Sequence, residues 1–193
     1  MSVLTVRVRR KAFGPVVVLR DVDFTVAAGE TLAVLGPSGV GKSTLLRIVA
    51  GLDPDFEGSF SRPERLAMVF QEPTLLPWRT ALANLTLTTG VDTAGAQAAL
   101  AEVGLAGKGA LFARQLSLGQ KRRLGPARAF AARPELLLMD EPFASLDAER
   151  IEKMLALTER LVAAMRPAAL FVTHSAVEAA RLPTRVLRLA PRG

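Results

Sequence analysis

The sequence predicts an α/β fold: a mostly parallel sheet, an antiparallel β layer at the N-terminus and a helical insert. Three observations carry this. The runs "TLAVLG", "ELLLMD" and "AALFVT" are continuously apolar, as strands covered on both faces are. Segments with apolar residues at helical spacing, "KSTLLRIVAGL" and "DAERIEKMLALTERLVAAM", alternate with them, the order that builds α/β layers. Residues from about 72 to 132 lack strand-like runs and are rich in Ala, Leu and Gly. The 193 residues are expected to form one domain, 1–193, with the 72–132 segment inserted as a helical subdomain.

Taken in chain order, the first thirty residues hold three β-rich runs, "LTVRVRR", "PVVVLR" and "VDFTV", broken by Phe13-Gly14-Pro15 and by Ala28-Gly29. They predict the antiparallel layer. "TLAVLG" then stops at a glycine-rich turn and gives way to the helix of "KSTLLRIVAGL". In the insert, a helix is expected to open at "LSLGQ" and run through "ARAFAARP", but Gly125-Pro126 falls inside it. A mid-helix proline removes one hydrogen bond and clashes with the preceding turn, at about 3 kcal/mol, so an interruption with a kink is expected there. "ELLLMD" follows as a strand. The next helix has Asp147 at its start and ends before Arg166-Pro167, and "AALFVT" is the last strand of the core.

Half of the residues are apolar, enough for a real core. No apolar run approaches the roughly 18–20 residues of a membrane-spanning helix, and "MSVLTVRVRRKAFG" alternates apolar with basic residues where a signal peptide has an apolar block. A soluble chain that stays in the compartment of its synthesis is expected. The absence of cysteine excludes disulfides and thiolate metal sites and fits a cytosolic setting. The formal charge of +7 invites a polyanionic partner, yet the arginines are spread along the chain and the cluster Lys121-Arg122-Arg123 lies in a segment with its own helical explanation. Nucleic acid is therefore not expected as a partner.

Gly36-Pro37-Ser38-Gly39-Val40-Gly41-Lys42-Ser43 fits G-x-x-x-x-G-K-[ST], placed after an apolar strand and before a helix. Glycines let successive N–H groups converge on an anion, and the helix N-terminus adds partial positive charge. Lys42 is placed to reach the β and γ phosphates, and the Ser43 hydroxyl to take a position on magnesium. Thr44 completes the segment. The fold class is thus refined to a P-loop NTPase core that binds a nucleoside triphosphate.

"LLLMDEP" supplies the second pattern. Asp140 ends an apolar strand, where strand termini of parallel sheets face the ligand crevice, and would orient the metal or its waters. Glu141, next in the chain, has the chemistry to orient or deprotonate an attacking water. His174, the one histidine, follows "ALFVT" and projects toward the same crevice, where it could bond the γ phosphate. The pentapeptide Leu116-Ser117-Leu118-Gly119-Gln120 contains no acid, base or metal ligand; alone, it reads as a Ser N-cap opening a helix.

These motifs, in this order, resemble the ATP-binding subunits of ABC transporters over nearly the full chain. "GPSGVGKST" resembles the Walker A loop, "VFQEP" the Q-loop, "LSLGQ" the signature, "LLLMDEP" Walker B, "SLD" the D-loop and His174 the switch histidine. The resemblance implies that two copies close head to tail, with each ATP between the Walker A loop of one and the signature of the other. Ser117, Gly119 and Gln120 would then act in trans, Ser117 with its hydroxyl and Gly119 by a close backbone approach. It further implies that Phe13, expected in the loop between the first two strands, stacks on adenine, although an aromatic there could equally cap the core. Gln71 would sense the metal and attacking water, and Asp147 would communicate across the dimer.

One departure is Leu118, where the family signature usually has glycine. If that position required φ > 0, a leucine would cost on the order of 1 kcal/mol or more; with Ser117 and Gly119 retained the site is expected to tolerate it, whereas a kink at Pro126 could shift the signature and weaken the ATPase. The resemblance also implies partners: a separate integral-membrane permease, a solute-binding protein, and a place on the cytoplasmic face of a prokaryotic membrane. "VFQEPTLLPWRTALANL" is similar to the matching segment of nitrate, sulfonate, taurine and thiamine-type importers; its Trp78 could anchor a permease helix or be buried in the insert's own core. ATP hydrolysis driving import is the main expectation. The alternative is a module that binds ATP and dimerises but barely hydrolyses. Without nucleotide, a monomer or weak dimer is expected.

Overall fold

The computed structural model describes residues 2–144, 146–182 and 184–190. They form two compact units: Met1–Leu66 with Glu135–Glu141 and Arg166–Gly193, and Ala67–Pro134 with Pro142–Met165.

In the first unit, β1 (Ser2–Phe13) pairs antiparallel with β2 (Val16–Ala27). Alternation places Leu4, Val6 and Val8 in the core while Arg7 pairs with Asp23 at 3.2 Å on the exposed face. Where three short runs were expected, two long strands form. Asp21 adopts φ 52°, and β2 continues through this left-handed residue with only its local geometry altered. A further strand, β4 (Glu57–Ser61), completes a sheet ordered β2-β1-β4.

The second sheet has the order β5-β6-β7-β3-β8. Its strands β3 (Thr31–Leu35) and β7 (Ala168–Thr173) are buried along their whole length, and β6 (Leu136–Asp140) is buried up to its last residue. They are the three apolar runs of the sequence, and the parallel α/β core it predicts is present. Parallel register aligns Leu35 with Thr173 and Asp140 with Val172, so the segments that follow all three strands leave from one edge. The edge strand β8 (Arg185–Arg188) pairs with β3, and β5 (Leu66–Val69) begins on the last residue of the first segment. Helices α1 (Lys42–Ala50) and α6 (Ala176–Arg181) belong to this unit.

The second unit contains α2 (Ala81–Thr89), α3 (Thr93–Glu102), a 3-10 turn at Ala113–Gln115, α4 (Leu118–Ala131) and α5 (Ala148–Met165). Thr80 and Asp92 cap α2 and α3 by accepting from Ala83 N and Gly95 N. Asn84, fully buried, accepts from Leu76 N at 2.8 Å and donates to the carbonyls of Leu76 and Thr80. That fixes the loop carrying Trp78, whose side chain is 64% exposed; burial in the insert's own core is thereby excluded. Helix α4 is not interrupted at Pro126. It runs as one 14-residue segment, and both Gly125 and Pro126 are buried. Packing of the proline offsets the hydrogen bond it cannot make.

Candidate functional site

The loop between β3 and α1 is shaped by backbone requirements that side chains other than hydrogen cannot meet. Gly41 has φ 102°, and a Cβ there would fall 2.7 Å from Leu19 Cδ2 and 2.8 Å from Val18 Cγ1. The β1–β2 hairpin therefore lies directly against the loop. Gly36 is equally confined, a Cβ meeting Leu189 O at 2.7 Å.

Lys42, 4% exposed, folds its ammonium back into this loop. It donates to Gly36 O at 3.0 Å and Pro37 O at 2.9 Å, and lies 3.2 Å from Glu141 Oε1. Ser43 Oγ donates to Asp140 Oδ1 at 2.9 Å. Burial pushes the Asp140 carboxyl above its ordinary range; the Ser43 hydrogen bond opposes this, Glu141 adds to it, and Arg47 and Lys42 oppose it.

Glu141 sits just past the strand end with φ 42°, a conformation costing a non-glycine residue on the order of 1 kcal/mol or more. Its N–H is fixed on Val172 O at 3.0 Å, and its Oε2 is 3.0 Å from His174 Nδ1. The turn that carries His174 is held from below. Thr173 Oγ1 donates to the buried Glu178 at 2.6 Å and accepts from Ser175 N at 3.0 Å. Five residues singled out in the sequence, Lys42, Ser43, Asp140, Glu141 and His174, thus converge within the first unit. Pro37, Ser38 and Gly39 form the exposed crest of the loop, with Val40 half-buried and Thr44 on the first turn of α1.

Phe13 is the last residue of β1, paired with Val16, and not a loop residue. The two-residue turn Gly14-Pro15, with Gly14 at φ 56°, lets the strand extend that far. Its ring is 52% exposed, so it does not cap the core. The ring centroid lies 4.5 Å from the ammonium of Lys11, a buried lysine that no pattern in the sequence singles out.

In the second unit, Ser117 caps α4. Its hydroxyl oxygen accepts from Gln120 N at 3.2 Å while Gln120 Oε1 accepts from Ser117 N at 2.9 Å, a reciprocal capping box. The cap uses an oxygen lone pair and leaves the hydroxyl proton free to donate. Leu118 is the first helical residue and is not among the positive-φ residues. The cost that a positive φ would have carried does not arise there. Gly119 has no positive φ either, and a Cβ on it would meet nothing within 4 Å. The chain's own fold gives no reason for a glycine there.

Ser117, Gly119 and Gln120 border a groove of about 760 Å³ that Arg122, Arg123 and Lys153 also line. Asp147 caps α5, accepting from Arg150 N at 2.9 Å; the first D-loop residue, Ser145, lies outside the described residues. Gln71 is exposed, two residues past β5, and borders a small cavity with Pro126 and Arg122.

A family model described as ABC transporter matches residues 19–144. The chain belongs to the ABC transporter family. It is similar to an aliphatic sulfonates import ATP-binding protein of Mycobacterium sp. strain MCS, at 49% identity over 98% of this chain and 80% of the relative. A protein of the same description from Frankia alni is 48% identical over 98% of this chain and 78% of its own length. Among solved structures it resembles an inward-facing ABC transporter described as being of metal-chelate type, with a TM-score of 0.85, 25% identity, and coverage of 98% of this chain and 80% of that one. This ABC chain binds ATP and is an ATPase. Among the described residues, no helix is long and apolar enough to cross a membrane.

Proposed function

We propose that this ATPase powers import of a small solute, of the sulfonate class named for its relatives, through a separate membrane permease. Two copies would close head to tail on two ATP molecules. The observation that carries the reading is the convergence of Lys42, Ser43, Asp140, Glu141 and His174 at one edge of the parallel sheet.

In this reading the N–H groups of residues 38–44 cradle the phosphates, and Lys42 turns from Glu141 to the β and γ phosphates. Glu141, released from the ammonium, orients and deprotonates the attacking water, while His174, hydrogen-bonded to Glu141, faces the γ phosphate. Magnesium fits the donor set: Ser43 Oγ and Asp140 Oδ1 are hard oxygens 2.9 Å apart, about the edge of an octahedron with ~2.0–2.1 Å bonds. When bound, the ion would neutralise developing phosphate charge, with Ser43, Asp140 and Gln71 as its protein contacts.

Ser117, Gly119 and Gln120 of the second copy would meet the γ phosphate, with Asp147 linking the two sites and Phe13 stacking on adenine. The free Ser117 proton and the bare approach at Gly119 support this. Closure on ATP and opening after hydrolysis would switch the permease between access states. Trp78, exposed on a loop fixed by Asn84, is suited to anchor a permease helix. A solute-binding protein outside and the cytoplasmic face inside complete the arrangement. The ordinary backbone of Leu118 lends no support to a module that barely hydrolyses.

Phosphate release from the purified chain reconstituted with its permease, compared with Glu141→Gln, tests the proposal. Solute-stimulated release in the first and near-background release in the second are expected; equal rates would refute it.

A further inference from the structure

Lys11 is 2% exposed, and lysines are rarely buried so deeply without partners. Its ammonium donates to Asp53 Oδ1 at 2.7 Å and to Asp55 O at 2.5 Å, lies 3.5 Å from Asp55 Oδ2, and sits 4.5 Å from the Phe13 ring centroid. Asp53 and Asp55 follow α1, in a loop that begins by closing Leu52 N and Asp53 N on Arg47 O. One cation therefore ties the strand end carrying Phe13 to the far end of the helix that starts at the phosphate loop. A clamp between strand and loop alone would need no aromatic partner. Here the ammonium lies against the ring, which remains 52% exposed to solvent.

The position of the hairpin gives this contact a use. Lys11 pairs with Leu19, and Leu19 and Val18 are the residues packed on Gly41. From there to Val16, the partner of Phe13, is two or three residues, roughly 7–10 Å along the strand. That is the scale of a nucleoside extending from phosphates held on residues 36–43.

We infer that Lys11 is a positioning residue for the nucleotide base: anchored by Asp53 and Asp55, its ammonium holds the Phe13 ring by a cation–π contact so that the ring's open surface receives the purine. This rests on the stacking role of Phe13 proposed above. Lys11 touches neither phosphate nor metal in this scheme, so its effect is confined to ligands that carry a base.

The test measures binding of ATP and of inorganic triphosphate, each with magnesium, to the full chain and to Phe13→Ala, Lys11→Met and the double variant. Phe13→Ala is expected to weaken ATP and leave triphosphate unchanged. Lys11→Met is expected to weaken ATP about fivefold, leave triphosphate unchanged, and add nothing in the Phe13→Ala background. Equal weakening of both ligands, or full additivity with Phe13→Ala, would show that Lys11 only supports the fold and would overturn the inference. No effect of Phe13→Ala on ATP would instead defeat the stacking reading, and the Lys11 role with it. Should Lys11→Met fail to fold, Asp53→Asn, which removes the charge holding the ammonium at nearly constant volume, carries the same comparison with the same expected and overturning results.

Discussion

Replacing Gly119 with alanine sets the interest of the chain's own fold against that of the shared nucleotide. The residue lies in the first turn of α4, has no positive φ, and offers an added methyl nothing to strike within 4 Å. Glycine costs a helix about 0.5–1 kcal/mol relative to alanine, and a first-turn position realises part of that. Gly119→Ala is therefore expected to stabilise the protein without nucleotide by about 0.5 kcal/mol, or roughly 1–2 °C in Tm for a chain of this length. In the proposed dimer the same methyl would stand where the γ phosphate held by the other copy approaches the backbone, so ATPase activity is expected to fall at least about tenfold, near 1.4 kcal/mol of barrier. ATP binding to the monomer should be unchanged. Calorimetric unfolding together with steady-state phosphate release reads both effects. A lowered Tm, or full activity in the variant, would refute the reasoning.

Three further outcomes follow from the same geometry. Asp140→Asn keeps an acceptor for Ser43 and removes a carboxylate whose pKa burial raises in the fold. A raised folded pKa means stability that is fully present below the unfolded value near 3.8 and lost as pH rises through the folded one. The variant should thus be more stable than the parent near neutral pH, by a margin that vanishes toward acid, while losing ATPase activity; thermal unfolding against pH checks the sign. Glu141→Gln should reduce phosphate release about a hundredfold or more yet still form an ATP-dependent dimer in light scattering, whereas the parent without nucleotide stays monomeric or weakly dimeric. Leu118→Gly should cost the helix about 0.5 kcal/mol and leave the ATPase rate within about twofold; a large gain in rate would restore the strain that the backbone lacks.

What the sequence disclosed of the fold was what local pattern encodes. Continuous apolar runs revealed β3, β6 and β7, and spacing revealed α1 and α5. Strand β4 escaped because "EGSFS" is exposed on nearly every residue, and β8 because it is a largely exposed edge with arginine at both ends. The second and third expected runs merge into the single strand β2, which continues through the left-handed Asp21. Pro126 misled on one point, the continuity of α4: its cost is local and visible in the sequence, while its burial is not. At the site, the phosphate loop and the Asp140-Glu141 pair were legible because the chain itself brings their residues together. Lys11 was not. Lysine is ordinarily a surface residue, and its partners stand 42 and 44 positions away. The positive φ of Glu141 and the buried Thr173–Glu178 bond beneath His174 are likewise products of the assembled sheet.

The central claim is that one triphosphate is gripped by two copies of the chain, and the absence of native cysteine permits a direct measurement. Ser38 and Leu118 are both exposed and unstrained, so Ser38→Cys and Leu118→Cys can be introduced together into the Glu141→Gln chain and oxidised with and without ATP and magnesium. A covalent dimer that forms only with nucleotide is the predicted result. A bond closed within one chain, or a dimer yield indifferent to ATP, would contradict it.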